Sequence, residues 1–193
     1  TAGVVHLAAL KHARESSRKP LDYWDKNLSS IIGLLKGIEG TKVDKLLFSS
    51  SCSIYGANGE VNESSPLEPM STYGRTKLVS EMIIKDCLRY LNLSVINLRY
   101  FNVIGNDIFP FAHDTSRECL IPALYDCYVN KNLPEIFGTN FNTPDGSALR
   151  DYIDVRDLSN VHYIAADYLM KNEQKVQLSL NIGKGKPYSV LQI

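Results

Sequence analysis

One amphipathic helix between two apolar strands constrains the fold of this chain more than any other feature of its sequence. The strand at 45–51 runs through apolar residues into three serines, and a second apolar strand covers 93–99. After Ser71, apolar residues recur at three- and four-residue steps, which is typical of one helix face. Strands that alternate with helices in this way lie parallel in one sheet. The sequence therefore predicts an α/β fold with a doubly wound parallel sheet.

Tyr73 and Lys77 are the candidate reactive pair in the first turns of this helix. They are four residues apart, so their side chains share one face. A free tyrosine has a pKa of about 10, and lowering it by ~3 units takes roughly 4 kcal/mol. An ammonium ~5 Å away, at an effective dielectric constant of ~20, supplies about 3 kcal/mol, and a bound cationic ring could supply the rest. The pattern is compatible with a general base, but also with an ordinary surface tyrosine and lysine.

The composition argues against several classes of protein. The net charge is zero, so no bulk electrostatic field favours nucleic acid or an anionic membrane. No apolar run is long enough to span a bilayer, and no secretory signal is visible, so we expect a cytoplasmic protein. The four cysteines show no CxxC spacing and the four histidines form no HExxH, which argues against a metal site or a disulfide framework.

Ser51 ends the first strand, 22 residues before Tyr73. A strand that ends in small hydroxyl residues, followed by a loop and a Tyr-x-x-x-Lys helix, resembles the layout of the short-chain dehydrogenase/reductase family. The resemblance implies a Rossmann-like domain that binds NAD and a catalytic triad of Ser51, Tyr73 and Lys77. In that triad Tyr73 would be the base, Lys77 would lower its pKa, and Ser51 would hold the reacting oxygen.

Two further segments narrow the resemblance to the family's extended branch. Segments 99–102 and 150–153 are similar to the Arg-Tyr-Phe-Asn and Arg-Asp-Tyr-Ile segments of the UDP-glucose 4-epimerases. The resemblance covers about 4–190 and implies interconversion of UDP-glucose and UDP-galactose with NAD, through a 4-keto intermediate. It also implies a homodimer that pairs through the helix carrying Tyr73 and its neighbour.

The same resemblance implies the residues of the two binding sites. NAD would contact strand ends and the helices beside them: Leu7, Ala8, Ala9, Leu10, Lys11, Asn27, Ser49, Ser50, Ser51, Tyr73, Lys77, Tyr100 and Phe101. The UDP-sugar would contact Lys11, Ser51, Tyr73, Asn102, Cys119, Leu120, Ile136, Phe137 and Arg150. Cys119 stands where many relatives have an asparagine, and Arg150 would hold the diphosphate. Taken alone, Lys11 could be a solvated loop residue, Asn27 an exposed helix residue and Arg150 part of a structural ion pair.

The resemblance also predicts how the chain divides. Residues 1–105 would form the C-terminal part of the NAD-binding domain, and 106–193 mainly a smaller substrate-binding lobe, with 151–170 packing back on the first domain. Within the lobe we expect a polar loop at 107–118, a helix from Leu120, a short edge strand at 135–138 and a late strand around 181–182.

The first sheet would be incomplete at its N-terminal end, because the glycine-rich strand-turn-helix that cradles the cofactor pyrophosphate has no counterpart in the sequence. The chain begins at Thr1 without a methionine, and 189–193 looks like the start of a helix. We therefore expect a fragment of a longer protein.

Four alternative functions stay open. A nucleotide-sugar 4,6-dehydratase would carry an Asp-Glu pair where this chain has Cys52 and Ser53. A UDP-N-acetylglucosamine 4-epimerase would use the same triad. An ordinary dehydrogenase would release NADH, but the substrate-lobe segments match epimerases. A non-catalytic NAD(P)-binding regulatory protein usually lacks the Tyr or the Lys, and this chain has both.

Overall fold

The computed structural model of the chain describes residues 3–56, 59–105, 116 and 119–193. The helices are α1 (Ala13–Arg18), α2 (Pro20–Ile38), α3 (Thr72–Cys87), α4 (Leu120–Asn130) and α5 (Val155–Lys171). The strands are β1 (Val4–His6), β2 (Lys45–Ser51), β3 (Ser94–Tyr100), β4 (Asn102–Ile104), β5 (Leu149–Asp154), β6 (Gln177–Ile182) and β7 (Pro187–Ser189). The predicted loop at 107–118 lies outside the described residues, apart from Ser116.

The chain divides into two compact units. Unit 1 contains Thr1–Tyr100 and Asn160–Ile182, and unit 2 contains Phe101–Ser159 and Gly183–Ile193. The division of the chain into a cofactor domain and a substrate lobe stays a prediction.

Unit 1 is built on a four-stranded sheet in the order β1-β2-β3-β6, and all three strand pairs are parallel. Leu46 and Phe48 on one face of β2 pack in a buried cluster with residues of α2 and α3, among them Ile31 and Ile84. Leu47 points to the opposite face, because side chains alternate along a strand, and there it lines a cavity with residues of α5. Helices therefore cover both faces, which confirms the predicted doubly wound parallel sheet.

The start of α3 is fixed by an N-terminal cap and by close packing of the backbone after β2 against its first turn. Ser71 is the N-cap, and its hydroxyl accepts a hydrogen bond from the Gly74 N–H at 3.0 Å, as its place before the apolar run predicts. A Cβ at Gly74 would lie 2.5 Å from the carbonyl oxygen of Ser53. The chain that follows β2 thus passes directly over the first turn of α3, and only glycine leaves room for it.

Unit 2 holds a smaller sheet in the order β4-β5-β7, in which β4 and β5 are parallel and β7 is antiparallel to β5. The predicted helix from Leu120 is confirmed as α4. The predicted edge strand at 135–138 is wrong. The segment has no regular secondary structure, and Gly138, with φ +96°, begins a turn that brings the Phe141 N–H to the Gly146 carbonyl.

The placement of the strand around 181–182 in the substrate lobe is also wrong. These residues end β6, which pairs with β3 in the sheet of unit 1 from Gln177 to Ile182. Pairing with the buried strand β3 decides this, since β3 offers backbone partners along the whole length of β6. After β7 the chain forms a short 3-10 helix, Val190–Gln192, capped by Ser189.

In the parts of the chain that the structure describes, none of the helices has both the length and the apolar character needed to cross a bilayer.

Candidate active site

Ser51, Tyr73 and Lys77 come together at the carboxyl end of β2. Ser51 is the last residue of β2, and its hydroxyl is a hydrogen-bond partner of the Tyr73 phenol. Lys77 lies one turn further along α3, and its Nζ is 6.0 Å from the centroid of the Tyr73 ring. The structure thus brings the three predicted residues into one place, while their catalytic roles stay a prediction.

Lys77 is held by a backbone carbonyl and an aromatic ring. Lys77 is 4% exposed, and its Nζ donates to the Ser49 carbonyl oxygen at 2.7 Å. The same Nζ lies 5.1 Å from the centroid of the Phe48 ring. Both partners favour a charged ammonium, because a carbonyl oxygen and a ring face each attract positive charge.

The pKa values of the pair are set mainly by burial. Burial raises the pKa of Tyr73 to about 12, and the hydrogen bond from Ser51 offsets only part of this rise. Burial lowers the pKa of Lys77 to about 8, against the attraction of the Glu81 carboxylate. Without a bound cofactor, desolvation of the phenolate outweighs the hydrogen bond from Ser51. The lowering of the Tyr73 pKa by Lys77 together with a bound cationic ring stays a prediction.

Asn27 connects the loop after β1 to α3. Its amide oxygen accepts from the Leu10 N–H at 2.8 Å, and its amide nitrogen donates to the Leu10 carbonyl at 3.1 Å and to Thr76 Oγ1 at 2.9 Å. Asn27 is 4% exposed, so the alternative of an exposed helix residue is wrong. A buried amide with these partners fixes the loop relative to α3.

The loop that Asn27 holds borders a cavity of about 220 Å³. Ala8, Ala9 and Leu10 line one side, and Lys26, Asn27 and Ser30 line the other. Small exposed residues at the end of a parallel strand leave space for a ligand in the crevice beyond the strand ends. Leu7 and Lys11, at the two ends of this loop, are also exposed. The cavity and the open strand end beside it fit part of a dinucleotide.

Tyr100 reaches a residue that the sequence analysis missed. It lies opposite Ser51 in the β2–β3 register, and its hydroxyl is 2.5 Å from Nε2 of His162 on α5. Burial raises the pKa of Tyr100 to about 12, although a hydrogen bond donated by the Ser49 hydroxyl partly offsets the rise. The only sequence signal for His162 was its position on an amphipathic helix, which does not distinguish it from an ordinary interface residue.

Ser50 is directed away from the triad. Its hydroxyl donates to Oε1 of Glu81 at 2.5 Å, and the same carboxylate pairs with Arg99. Ser50 was predicted to contact the cofactor, and that contact stays a prediction. Glu81 and Arg99 were not predicted as site residues.

The remaining candidates lie in unit 2. Asn102 begins β4 directly after Phe101, and Arg150 is an exposed residue of β5 whose guanidinium donates to the Leu149 carbonyl at 2.7 Å. Cys119 precedes α4 without capping it through its side chain, and Leu120 begins the helix. Ile136 and Phe137 are exposed in the turn region. Their contacts with a nucleotide sugar stay predictions.

Comparison with known proteins gives the family. The model of the NAD dependent epimerase/dehydratase family matches residues 2–183. The UDP-glucose 4-epimerase of Halalkalibacterium halodurans is 36% identical over 201 residues, which cover 98% of this chain and 58% of that protein. The chain thus spans little more than half the length of this curated relative.

Solved structures agree with this family match. The UDP-glucose 4-epimerase from Brucella ovis in complex with NAD matches with a TM-score of 0.90 and 32% identity, over 98% of this chain and 59% of that chain. The UDP-glucose 4-epimerase from Bifidobacterium longum in complex with NAD+ and UDP matches with a TM-score of 0.87 and 33% identity, over 98% of this chain and 58% of that chain. The chain described here belongs to the NAD dependent epimerase/dehydratase family.

Proposed function

We propose that the whole protein is an NAD-dependent nucleotide-sugar 4-epimerase that interconverts UDP-glucose and UDP-galactose. The observation that carries this proposal is the contact of the Ser51 hydroxyl with the Tyr73 phenol, one turn from the buried Lys77 ammonium. Such a cluster at the carboxyl end of a parallel sheet suits proton transfer to and from a sugar hydroxyl.

Each residue of the cluster has a distinct task. Tyr73, as phenolate, takes the proton from the 4-hydroxyl of the sugar and later returns it. Ser51 hydrogen-bonds the reacting oxygen, can relay its proton, and keeps the phenol in line with it. Lys77 supplies a positive charge that favours the phenolate. Bound NAD would accept the hydride from C4 and return it, and its cationic ring would add the charge that the protein alone lacks.

We propose that NAD lies along the open ends of β1 and β2. The loop from Leu7 to Lys11, Asn27 and the serines 49–51 would border it, with Tyr100 and Phe101 near the nicotinamide. The cavity beside Asn27 and the small residues of the loop support this placement.

For the substrate, we propose a UDP-sugar held by Arg150, Asn102 and the region around Cys119 and Leu120, with Ile136 and Phe137 beside the nucleotide. An exposed guanidinium suits a diphosphate, because its planar fork donates to two phosphate oxygens at once. UDP-N-acetylglucosamine is the alternative sugar, and the two are separated by assaying both. A 4,6-dehydratase is disfavoured, because Cys52 and Ser53 offer no carboxylate.

The experiment is to incubate the full-length protein with UDP-galactose that carries deuterium at C4, and to follow the products by NMR. We expect UDP-glucose that keeps the deuterium at C4, without consumption of external NAD. Reduced cofactor accumulating with an oxidised sugar would indicate a dehydrogenase, and loss of water from the sugar a dehydratase. No turnover of any UDP-sugar would leave a non-catalytic NAD(P)-binding protein.

We further propose a cytoplasmic homodimer. The apolar side chains of Ile32 on α2 and Met82 on α3 are 38% and 55% exposed, which suits pairing through these two helices. The four cysteines, all within the described residues, form no disulfide bond, which suits a reducing compartment. Sedimentation of the full-length protein at twice the mass of one chain is the expected result, and a monomer would contradict the dimer.

A further inference from the structure

Glu81 and Arg99 form a buried ion pair behind the candidate triad. Glu81 is 7% exposed and Arg99 is 5% exposed. The pair is bidentate, with Nε of Arg99 at 3.1 Å from one carboxylate oxygen and NH2 at 2.7 Å from the other. A buried ion pair contributes little net stability, because removing two charges from water offsets most of their attraction. Its presence beside a reactive cluster therefore calls for an explanation other than stability.

Hydrogen bonds connect the pair to several neighbouring elements. Oε1 of Glu81 accepts from the Ser50 hydroxyl at 2.5 Å, and NH1 of Arg99 donates to the Tyr55 hydroxyl at 2.7 Å. The Tyr55 hydroxyl in turn donates to the side chain of Asn181 on β6 at 2.7 Å. One carboxylate on α3 is thus connected to β2, to β3, to the segment after β2 and to β6.

The residues that make these bonds are close in sequence to the reactive residues. Ser50 directly precedes Ser51, and Glu81 is four residues after Lys77 on α3. The Lys77 Nζ donates to the carbonyl of Ser49, two residues before Ser51. The strand end is therefore bonded to α3 through the two residues that directly precede Ser51. A slip of either element would move the phenol and its serine apart.

We propose that Glu81 is a positioning residue, which fixes helix α3 on strand β2 so that the Tyr73 phenol meets the Ser51 hydroxyl. This inference rests on the proposed epimerase function. Glu81 does not contact the reacting atoms, and it acts through Ser50 and Arg99. It also faces the Lys77 ammonium, which its negative charge helps to keep protonated.

The first test compares two buried serines in the full-length protein. Ser50→Ala removes the hydroxyl that joins Glu81 to β2. Ser80→Ala is the matched control. Among the residues that the structure describes, the Ser80 hydroxyl bonds within α3, to the Thr76 carbonyl at 2.8 Å, and Ser80 is about as buried as Ser50. We expect kcat to fall roughly tenfold in Ser50→Ala with KM for UDP-galactose unchanged, a pattern typical of misplaced reacting groups. We expect the control to keep the wild-type kcat.

The second test changes the carboxylate itself. Glu81→Gln removes the charge and leaves Arg99 buried beside a neutral amide, whereas Glu81→Asp keeps the charge on a shorter stem. We expect Glu81→Gln to lose more than tenfold in kcat and Glu81→Asp to recover part of the loss at unchanged KM. If Glu81→Gln does not fold, the comparison of the two serine variants decides alone.

The outcomes separate this inference from the proposed function. Wild-type protein and Ser80→Ala must both interconvert the UDP-sugars, and if neither does, the proposed function fails and the inference falls with it. If both are active and Ser50→Ala is as active as Ser80→Ala, the positioning role of Glu81 is overturned while the epimerase stands. The positioning role would also be overturned if both serine variants lost kcat equally and in proportion to their loss of thermal stability.

Discussion

At the scale of single residues, the burial of Lys77 has consequences for stability. Its pKa falls to about 8 in the folded protein, from 10.5 for an unperturbed lysine. Between these two values the unfolded state binds more protons than the folded state, so stability rises with pH through this window. Below pH 8 both states are protonated and no gain occurs.

We therefore predict that the full-length protein gains about 2 kcal/mol of stability between pH 7.5 and 9.5 relative to a Lys77→Met variant. The measurement is urea unfolding at both pH values, kept below pH 10, where Tyr73 does not yet titrate. Lys85→Met is the matched control, because Lys85 is an exposed lysine on the same helix. A Lys77→Met variant with the same pH dependence as wild type would show that the lysine is not desolvated.

At the scale of elements, the first turn of α3 depends on Gly74. A Cβ there would meet the Ser53 carbonyl oxygen at 2.5 Å and the Pro69 side chain at 3.0 Å. We predict that Gly74→Ala destabilises the protein by about 1–3 kcal/mol, because a backbone carbonyl cannot move aside without shifting the segment after β2.

Gly33→Ala is the control for this prediction. Gly33 is also helical, but nothing lies within 4 Å of its Cβ position, so alanine should stabilise α2 by about 0.5–1 kcal/mol. Thermal unfolding of both variants measures the two effects. Equal stability changes at the two positions would contradict the close packing of α3 against the chain after β2.

Sequence reasoning worked best for elements with strong local patterns. The strand at 45–51 was predicted with its observed bounds, and α2 and α3 follow from apolar periodicity with a proline or a serine at the start. The short strand β4 was not predicted, and the strand predicted at 135–138 is absent. Three or four residues are too few to show a reliable alternation of apolar and polar side chains. Their state depends on whether a partner strand is present.

The same distinction holds for the candidate site. The triad could be found because Tyr73 and Lys77 have a fixed spacing and Ser51 ends a recognisable strand. The bonds of Arg99 with Glu81 and Tyr55, and of Tyr100 with His162, could not be found. Each joins residues from different elements, and only the folded sheet brings them together.

At the scale of the whole molecule, the chain covers 58% of the length of a curated relative, and β1 lies at one edge of its sheet. The sequence holds no glycine-rich strand-turn-helix that could cradle a pyrophosphate. We predict that residues 1–193 alone bind NAD far more weakly than the full-length protein. Calorimetry on both proteins tests this, and submicromolar binding by residues 1–193 would show that other residues hold the pyrophosphate.

The central claim is that Tyr73 is the base of a C4 epimerisation. The most direct test is the rate of conversion of UDP-galactose to UDP-glucose by full-length wild type and Tyr73→Phe, with bound NAD released and quantified in both. Because a general base typically contributes 10²–10⁴-fold, we predict that Tyr73→Phe loses at least two orders of magnitude in turnover while NAD stays bound. Turnover close to that of wild type would contradict the mechanism.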